Sequence, residues 1–336
     1  MLKLNERYGE MTTRILQPNT DNLTLCAAHL RAGGLVAFPT ETVYALGAVA
    51  TDERAVARLY EVKKRPLDKP LIVAVSKKSE IGSVVKNIPK KAEKLIDEFM
   101  PGALTLLLDR ADRIPDIVTA GGGTVAVRIP ACESALKLIE LTGAPVVVPS
   151  ANISEKTSPT LASHVLDDFG GKIEYILDGG ACDIGIESTI IDTRCDPPKI
   201  IRCGGVAVPD IERVIGKVEY KREDNVYGNY IPAAEVMFSA YYDGMTQNIC
   251  SRYDELVARG RKTVIICLDG NAAFYGDRRV YTLGGDYKSY AHNLFAALRR
   301  ADAEHMECVI AEGVKPEGMG VSIINRLCRI SRGQII

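Results

Sequence analysis

The sequence predicts an α/β fold in two domains, and three features predict it. Short apolar runs alternate with stretches of helical period over residues 14–216, the pattern of strands followed by helices. The same alternation restarts at Val236 and runs to Ile336. At 336 residues the chain exceeds one typical domain.

Composition narrows the function classes. An apolar content of 46% and a charged content of 25% are ordinary for a soluble globular protein. A formal net charge of −1 argues against a generic nucleic-acid coat, which needs a basic excess, and leaves room for a local basic site. No apolar run is long enough to span a bilayer, and Met1 to Met11 is polar without a signal-peptide core. A cytoplasmic protein with no membrane partner is the expectation. The nine cysteines are scattered, none in a C-x-x-C pair, so reduced thiols are expected. Four histidines without a cluster give no basis for a transition-metal site.

The elements follow in order. Residues 1–13 read as a loose leader. Asp21 to Gly33 has helical spacing at Leu23, Cys26, Ala27 and Leu30, with Thr20 or Asp21 as cap and Gly33 as stop. Leu35 to Pro39 is a short buried strand running into the polar loop Thr40-Glu41-Thr42-Val43-Tyr44-Ala45-Leu46-Gly47. That loop suits ligand contacts, and equally suits a helix cap. Asp52 to Val62 is an amphipathic helix. It delivers Lys63-Lys64-Arg65-Pro66-Leu67-Asp68-Lys69-Pro70, four cations on a stretch stiffened by two prolines ahead of the strand Leu71 to Val75. Such a stretch presents positive charge to a defined anion, or it is a solvated lysine-rich loop.

Pro89 to Phe99 reads as a helix, Thr105 to Leu108 as a strand, and Thr124 to Pro130 as an alternating strand after three glycines. Those glycines either approach an anion through their N–H groups or form a plain turn. Arg128 stands in an apolar strand, so its charge needs a partner in the core or on a ligand. Cys132 to Thr142 is a helix and Pro145 to Pro149 a buried strand ending at Ser150-Ala151-Asn152. Thr160 is expected to cap a helix to Phe169. Strands follow at 174–178, 188–192 and Lys199 to Arg202.

Residues 217–235 are charged and dotted with Tyr227, Tyr230 and Pro232, and read as a linker. Beyond it come strands at Lys262–Leu268, Arg279–Leu283 and Glu307–Ala311, and helices at Met245–Arg259, Lys288–Asp302 and Val321–Arg329. Val264 to Leu268 looks like a central parallel strand. No glycine-rich dinucleotide fingerprint follows it.

Hydroxyls and cations gather at strand ends: Thr40, Thr42, Lys63, Arg65, Lys69, Thr124, Arg128, Ser150, Asn152, Ser158, Ser188 and Arg202. Brought together, they would suit phosphates and carboxylates. The first domain holds no Walker A motif, no G-x-S-x-G and no Ser/His/Asp set. Its remaining chemistry is a phosphoryl-type transfer by positioning and electrostatics, with Mg²⁺ expected.

At this point a resemblance emerges. Pro39-Thr40-Glu41-Thr42-Val43-Tyr44, Lys63-Lys64-Arg65-Pro66, Thr124 to Pro130, Ser150-Ala151-Asn152, Ser158-Pro159-Thr160, Glu187-Ser188-Thr189 and Arg202-Cys203-Gly204-Gly205 resemble the Sua5/YrdC/YwlC family, in the family's order. Residues 236–336 look like the extra domain of its longer Sua5 members. The resemblance implies a YrdC-like, twisted and largely parallel sheet with a concave cleft, plus a smaller Rossmann-like C-terminal domain. It implies domains at 14–216 and 236–336, joined by a linker at 217–235 that folds over the cleft as a lid. It implies threonylcarbamoyl-AMP synthesis from L-threonine, bicarbonate and ATP. The product would pass to the machinery that modifies adenosine 37 of ANN-decoding tRNAs.

Carried over by position, Thr42, Arg128, the Val148 backbone and Ser188 would hold threonine, with Ala74 beside them. Arg65, Lys69, Thr124, Ser150, Asn152, Ser158 and Arg202 would hold ATP, and Lys63 and Arg65 would act on the phosphates. The lid would bring Asn229 and Tyr230 to the nucleotide. The chain departs from the family at Lys69 (usually Asn), Ala74 (usually His), Ala45 (usually Gly) and Cys203 (usually Pro). The linker keeps its tyrosines and proline and lacks the usual Lys, Arg and His. Two other readings stay open: a carbamoyl-adenylate enzyme with another acceptor, and an RNA-binding module. The near-neutral charge and the lack of an aromatic stacking platform count against the second. Direct contact with tRNA is left open.

Overall fold

The computed structural model describes residues 11–220 and 231–336. Successive strand side chains point to opposite faces, so the continuous apolar runs bury both faces of each sheet, and the helices of period 3.6 cover them. The chain runs β1 (Arg14–Leu16), α1 (Thr20–Arg31), β2 (Val36–Phe38), β3 (Ala45–Val49), α2 (Glu53–Lys63), β4 (Ile72–Ala74), α3 (Lys90–Phe99), β5 (Leu104–Asp109) and α4 (Asp116–Thr119). It continues through β6 (Thr124–Arg128), α5 (Glu133–Thr142), β7 (Val146–Val147), α6 (Ala162–Phe169), β8 (Tyr175–Leu177), β9 (Thr189–Asp192), β10 (Lys199–Arg202), α7 (Val208–Ile215) and β11 (Glu219–Tyr220). The last part holds β12 (Glu235–Phe238), α8 (Met245–Ala258), β13 (Thr263–Cys267), β14 (Val280–Thr282), α9 (Tyr287–Ala303), β15 (Cys308–Ala311) and α10 (Met319–Ile330).

Among the described residues the strands form two sheets, an eleven-stranded one in the order β1-β8-β2-β3-β7-β4-β6-β5-β9-β10-β11 and a four-stranded one in the order β12-β15-β13-β14. The small sheet is parallel throughout. The large sheet mixes parallel pairs, such as β4 with β6 and β5 with β9, with antiparallel ones, such as β2 with β3 and β5 with β6. Ala37 and Leu46 enter the core on one face of the large sheet; Val36, Phe38 and Ala45 enter the core on the other, with α1 and α5.

The small sheet is likewise two-faced. Val236, Phe238, Val264, Ile266 and Val309 pack with α9 and α10, and that core also takes in Val43 and Ile186 from the first part of the chain. The α9 and α10 layer therefore seats against the large-sheet half. Met237, Ile265, Cys267 and Ile310 pack with α8 on the opposite face. Burial pushes the Cys26 and Cys267 thiols up to about 12, so both stay protonated and unreactive at neutral pH.

Several local expectations shift. Residues 14–16 form an edge strand beside β8, directly after the stretch read as a leader. The segment Ala45–Val49, read as the end of a polar loop, pairs antiparallel with β2. Asn19 rather than Thr20 or Asp21 caps α1, accepting from the Asn22 N–H at 2.9 Å. Thr160 does not cap α6, which starts one residue later from Leu161 without a side-chain cap. Glu219–Tyr220, within the stretch read as linker, pairs with β10. Asn229 and Tyr230 lie outside the described residues.

Candidate active site

Asp52 caps α2 through the N–H groups of Arg54 and Ala55. The helix ends at Lys64, which takes a left-handed φ of 51°, a strained turn for a residue with a Cβ. That turn sends the neighbouring cations different ways. Lys63 is buried, and its Nζ donates to the carbonyls of Ser150 and Asn152, the latter at 2.6 Å. Ser154 N–H donates back to the Lys63 carbonyl at 2.8 Å. Burial, and then the nearby Arg65 guanidinium, hold the Lys63 ammonium well below the usual lysine range. Arg65 folds over its own loop, donating from Nε to the Lys69 carbonyl at 3.1 Å and from Nη2 to the Pro70 carbonyl at 2.8 Å. Lys69 Nζ reaches the rim, 3.6 Å from Glu155 Oε1.

The second wall comes from β2, β3 and the loop between them. Thr40 Oγ1 turns that loop by donating to the Val43 carbonyl at 2.7 Å, and it lies 2.8 Å from Thr42 Oγ1. Backbone bonds from Tyr44 N–H to the Pro159 carbonyl and from Ala151 N–H to the Tyr44 carbonyl join the loop to the 150–160 segment. Arg128, at the end of β6, donates from Nη1 to Thr42 Oγ1 at 3.0 Å and from Nη2 to Glu41 Oε1 at 2.5 Å. Both members of this ion pair are buried, as a core arginine requires.

The third wall is Ser188 with Arg202. Ser188 Oγ lies 2.8 Å from Thr105 Oγ1, and Arg202 donates to the Ser188 carbonyl at 3.1 Å and to its hydroxyl at 3.2 Å. Beside it Glu187 accepts from Ser158 Oγ at 2.7 Å and from Arg326 Nε at 2.8 Å.

These walls enclose one cleft. Thr42, Lys63, Arg65, Lys69, Arg128, Val148, Ser150, Asn152, Ser188 and Arg202 all line it. Four expected residues do not, Thr40 among them, its hydroxyl donating to the Val43 carbonyl inside its own loop. Thr124 opens β6 at the opposite end from Arg128, roughly 13 Å away along the strand at 3.3 Å per residue. Ser158 is fully buried behind Glu187 and holds that carboxylate. Ala74 is fully buried in the apolar layer with Val146 and Val148, although it is in register with Arg128 across β4 and β6. Lys63 lines the cleft with its ammonium turned onto the loop backbone, so its position is that of a loop pin.

Sequence reasoning gave no role to Glu41, Thr105, Glu155, Glu187 or Arg326. Arg326 did carry a signal. It shares a helical face with Ile323, Leu327 and Ile330, and a charge on an apolar face needs a buried partner. Among the described residues no group of His, Cys, Asp and Glu is arranged to hold a metal ion, and no helix is long and apolar enough to cross a membrane.

The cleft combines hydroxyl donors and cations with the apolar side chains of Val43, Leu71, Ile72 and Val148, a donor set that suits carboxylates and phosphates. Comparison with known proteins places the chain in a family. Residues 28–204 match the Sua5–YciO–YrdC family model, described as "Telomere recombination". Residues 206–331 match a model described as "Threonylcarbamoyl-AMP synthase, C-terminal domain". A threonylcarbamoyl-AMP synthase of Pyrococcus abyssi is 43% identical, over 100% of this chain and 98% of its own length. One of Bacillus subtilis is 38% identical over 98% of this chain and 99% of its own. The crystal structure of P. abyssi Sua5 complexed with L-threonine superposes with a TM-score of 0.91 at 40% identity, covering 96% of this chain and 99% of that one. With these matches along nearly its whole length, the chain belongs to the Sua5/YrdC family, as a member carrying the Sua5-type C-terminal domain.

Proposed function

We infer that this chain is an L-threonylcarbamoyladenylate synthase, converting L-threonine, bicarbonate and ATP to threonylcarbamoyl-AMP, pyrophosphate and water, the water leaving as the threonine amine forms its C–N bond to the bicarbonate carbon. One observation carries the reading. Hydroxyls and cations from three wall segments meet in one cleft, in a chain 40% identical to a protein solved with L-threonine.

Arg128, Thr42, Ser188 and the Val148 backbone take the amino acid, the guanidinium facing its carboxylate. Arg65, Lys69, Ser150, Asn152 and Arg202 take the nucleotide, and Lys63 keeps the Ser150 and Asn152 backbone in place. An oxygen of the threonine carbamate forms a bond to the α-phosphorus, and the bond from that phosphorus to the pyrophosphate oxygen breaks. The carbamate supplies the electron pair, so no side chain needs to be a nucleophile. The protein contributes alignment and positive charge.

Mg²⁺ fits this cleft as a passenger of the phosphates, since Mg²⁺ keeps waters and needs only one or two carboxylates. Glu155, half-exposed at the rim beside Lys69, is the lining carboxylate that would share it, whereas Glu187 is buried against Ser158 and Arg326. When bound, Mg²⁺ neutralises phosphate charge. In this reading the catalytic domain spans residues 14–216 with the added edge strand Glu219–Tyr220, and the second domain opens at Glu235 with β12. The product passes to the tRNA threonylcarbamoyl-transfer machinery, in the cytoplasm.

Ala74 motivates a second reading, in which another amino acid is the acceptor. It shares the Arg128 register, and a methyl there offers no polar group. Pyrophosphate release with ATP, Mg²⁺ and bicarbonate, with and without L-threonine, tests both. Release dependent on threonine and bicarbonate supports the synthase. Release with serine or another amino acid in its place moves the assignment to the second reading. Silence with every amino acid rejects both.

A further inference from the structure

The segments carrying Ser188 and Arg202 lie back to back. Gly205 N–H donates to the Glu187 carbonyl at 2.9 Å. A Cβ on Gly204 would lie 2.2 Å from the Glu187 carbonyl oxygen and 2.4 Å from the Ser188 carbonyl carbon, so the two backbones touch. Ser188 and Arg202 are thereby one shelf of the cleft.

Helix α10 grips both halves of that shelf. Arg326 Nε donates to Glu187 Oε2 at 2.8 Å, and Ser322 Oγ donates to the Gly204 carbonyl at 2.8 Å. The two side chains are four residues apart, on one helix face. Arg326 is 0% exposed and Ser322 2%. Val321, beside them, packs into the core of the large sheet. The second oxygen of Glu187 accepts from Ser158, whose neighbour Pro159 accepts from Tyr44 N–H, two residues beyond Thr42. One carboxylate thus links α10 to two walls of the cleft. Apolar packing would dock the two halves without burying a guanidinium, and a buried ion pair costs desolvation that apolar residues avoid. Its directional bonds fix a geometry.

We propose that Arg326 and Ser322 are positioning residues, by which the C-terminal part of the chain holds Ser188 and Arg202 in the geometry that binds substrate. Its kinetic consequence rests on the synthase reading; its structural consequence does not.

The test uses the full-length protein and the variants Arg326→Ala, Arg326→Lys, Ser322→Ala and His292→Ala. His292 Nδ1 meets the Asp183 carbonyl across the same interface, four residues before Glu187, and reports docking. Hydrogen exchange over residues 187–189 and 203–206 is read beside KM and kcat for L-threonine. We expect Arg326→Ala to speed exchange there and to raise KM about tenfold, the size of effect that losing one substrate hydrogen bond produces. Ser322→Ala moves both in the same direction by less, Arg326→Lys recovers part, and His292→Ala leaves both at wild-type values. Wild-type exchange at the shelf in folded Arg326→Ala and Ser322→Ala overturns the proposal, as does an equal effect of His292→Ala. If Arg326→Ala does not fold, Ser322→Ala against His292→Ala decides. A wild-type protein with no threonine-dependent turnover rejects the synthase reading, and the exchange result still decides the shelf.

Discussion

The Arg128 guanidinium sits 2.5 Å from the Glu41 carboxylate, both buried beneath the cleft, while its other terminal nitrogen holds Thr42. Removing one member strands the other. Arg128→Met is expected to lower stability by about 3–5 kcal/mol and kcat/KM by at least about 100-fold. Glu41→Gln with Arg128→Met removes both charges and should be more stable than Arg128→Met alone, while staying inactive. Urea unfolding of the single and double variants measures the difference. Equal stabilities would show that the pair is not coupled.

Lys63 supports backbone rather than facing solvent. Lys63→Met keeps the stem and leaves the Ser150 and Asn152 carbonyls without this donor. A buried acceptor left unsatisfied costs about 1–3 kcal/mol, so a clear drop in melting temperature should accompany lost turnover. Unchanged melting with lost turnover would instead assign Lys63 to the phosphates directly.

Lys69 and Glu155 form the rim pair, with the Glu155 side chain 48% exposed. Such a pair contributes no more than about 1 kcal/mol to stability. Lys69→Ala should therefore leave melting nearly unchanged and raise KM for ATP, more at low ionic strength than at high. Glu155→Gln should raise the Mg²⁺ concentration needed for half-maximal rate. Initial rates over an ATP, salt and Mg²⁺ grid check both.

His164 should make stability depend on pH. Burial, and then the Arg299 guanidinium, lower its pKa from 6.5 to about 4, and its Nδ1 accepts from the Thr160 N–H. The folded state binds fewer protons than the unfolded state between those values. Stability is therefore full above about pH 6.5 and falls as the pH drops toward 4, by roughly 2–3 kcal/mol. His164→Gln should flatten that part of the pH profile. A variant with the wild-type slope would place the pH dependence elsewhere.

Much of the site was legible because cleft residues stand where apolar runs end. Arg128 follows Val125 and Val127, and Ser150 follows Val146 to Pro149, so strand ends were visible as changes in polarity. Family order then supplied candidate roles. Thr124 stands at the far end of the same strand, because its motif runs along β6 and contains both ends. Ser158 lies behind Glu187, a placement that sequence does not show because a buried hydroxyl and a lining hydroxyl look alike there.

The α/β alternation, the two sheets and the cations of the Lys63 loop were all written in local pattern, since period and polarity are properties of neighbouring residues. Pairing was not. Glu187 and Arg326 are 139 residues apart, and their contact depends on how α10 packs against the large-sheet half. Lys63 and Arg65 are chemically alike in sequence, and one left-handed turn at Lys64 sends them to different partners. Local periodicity specifies which residues are buried, whereas long-range packing selects the partner each buried charge meets.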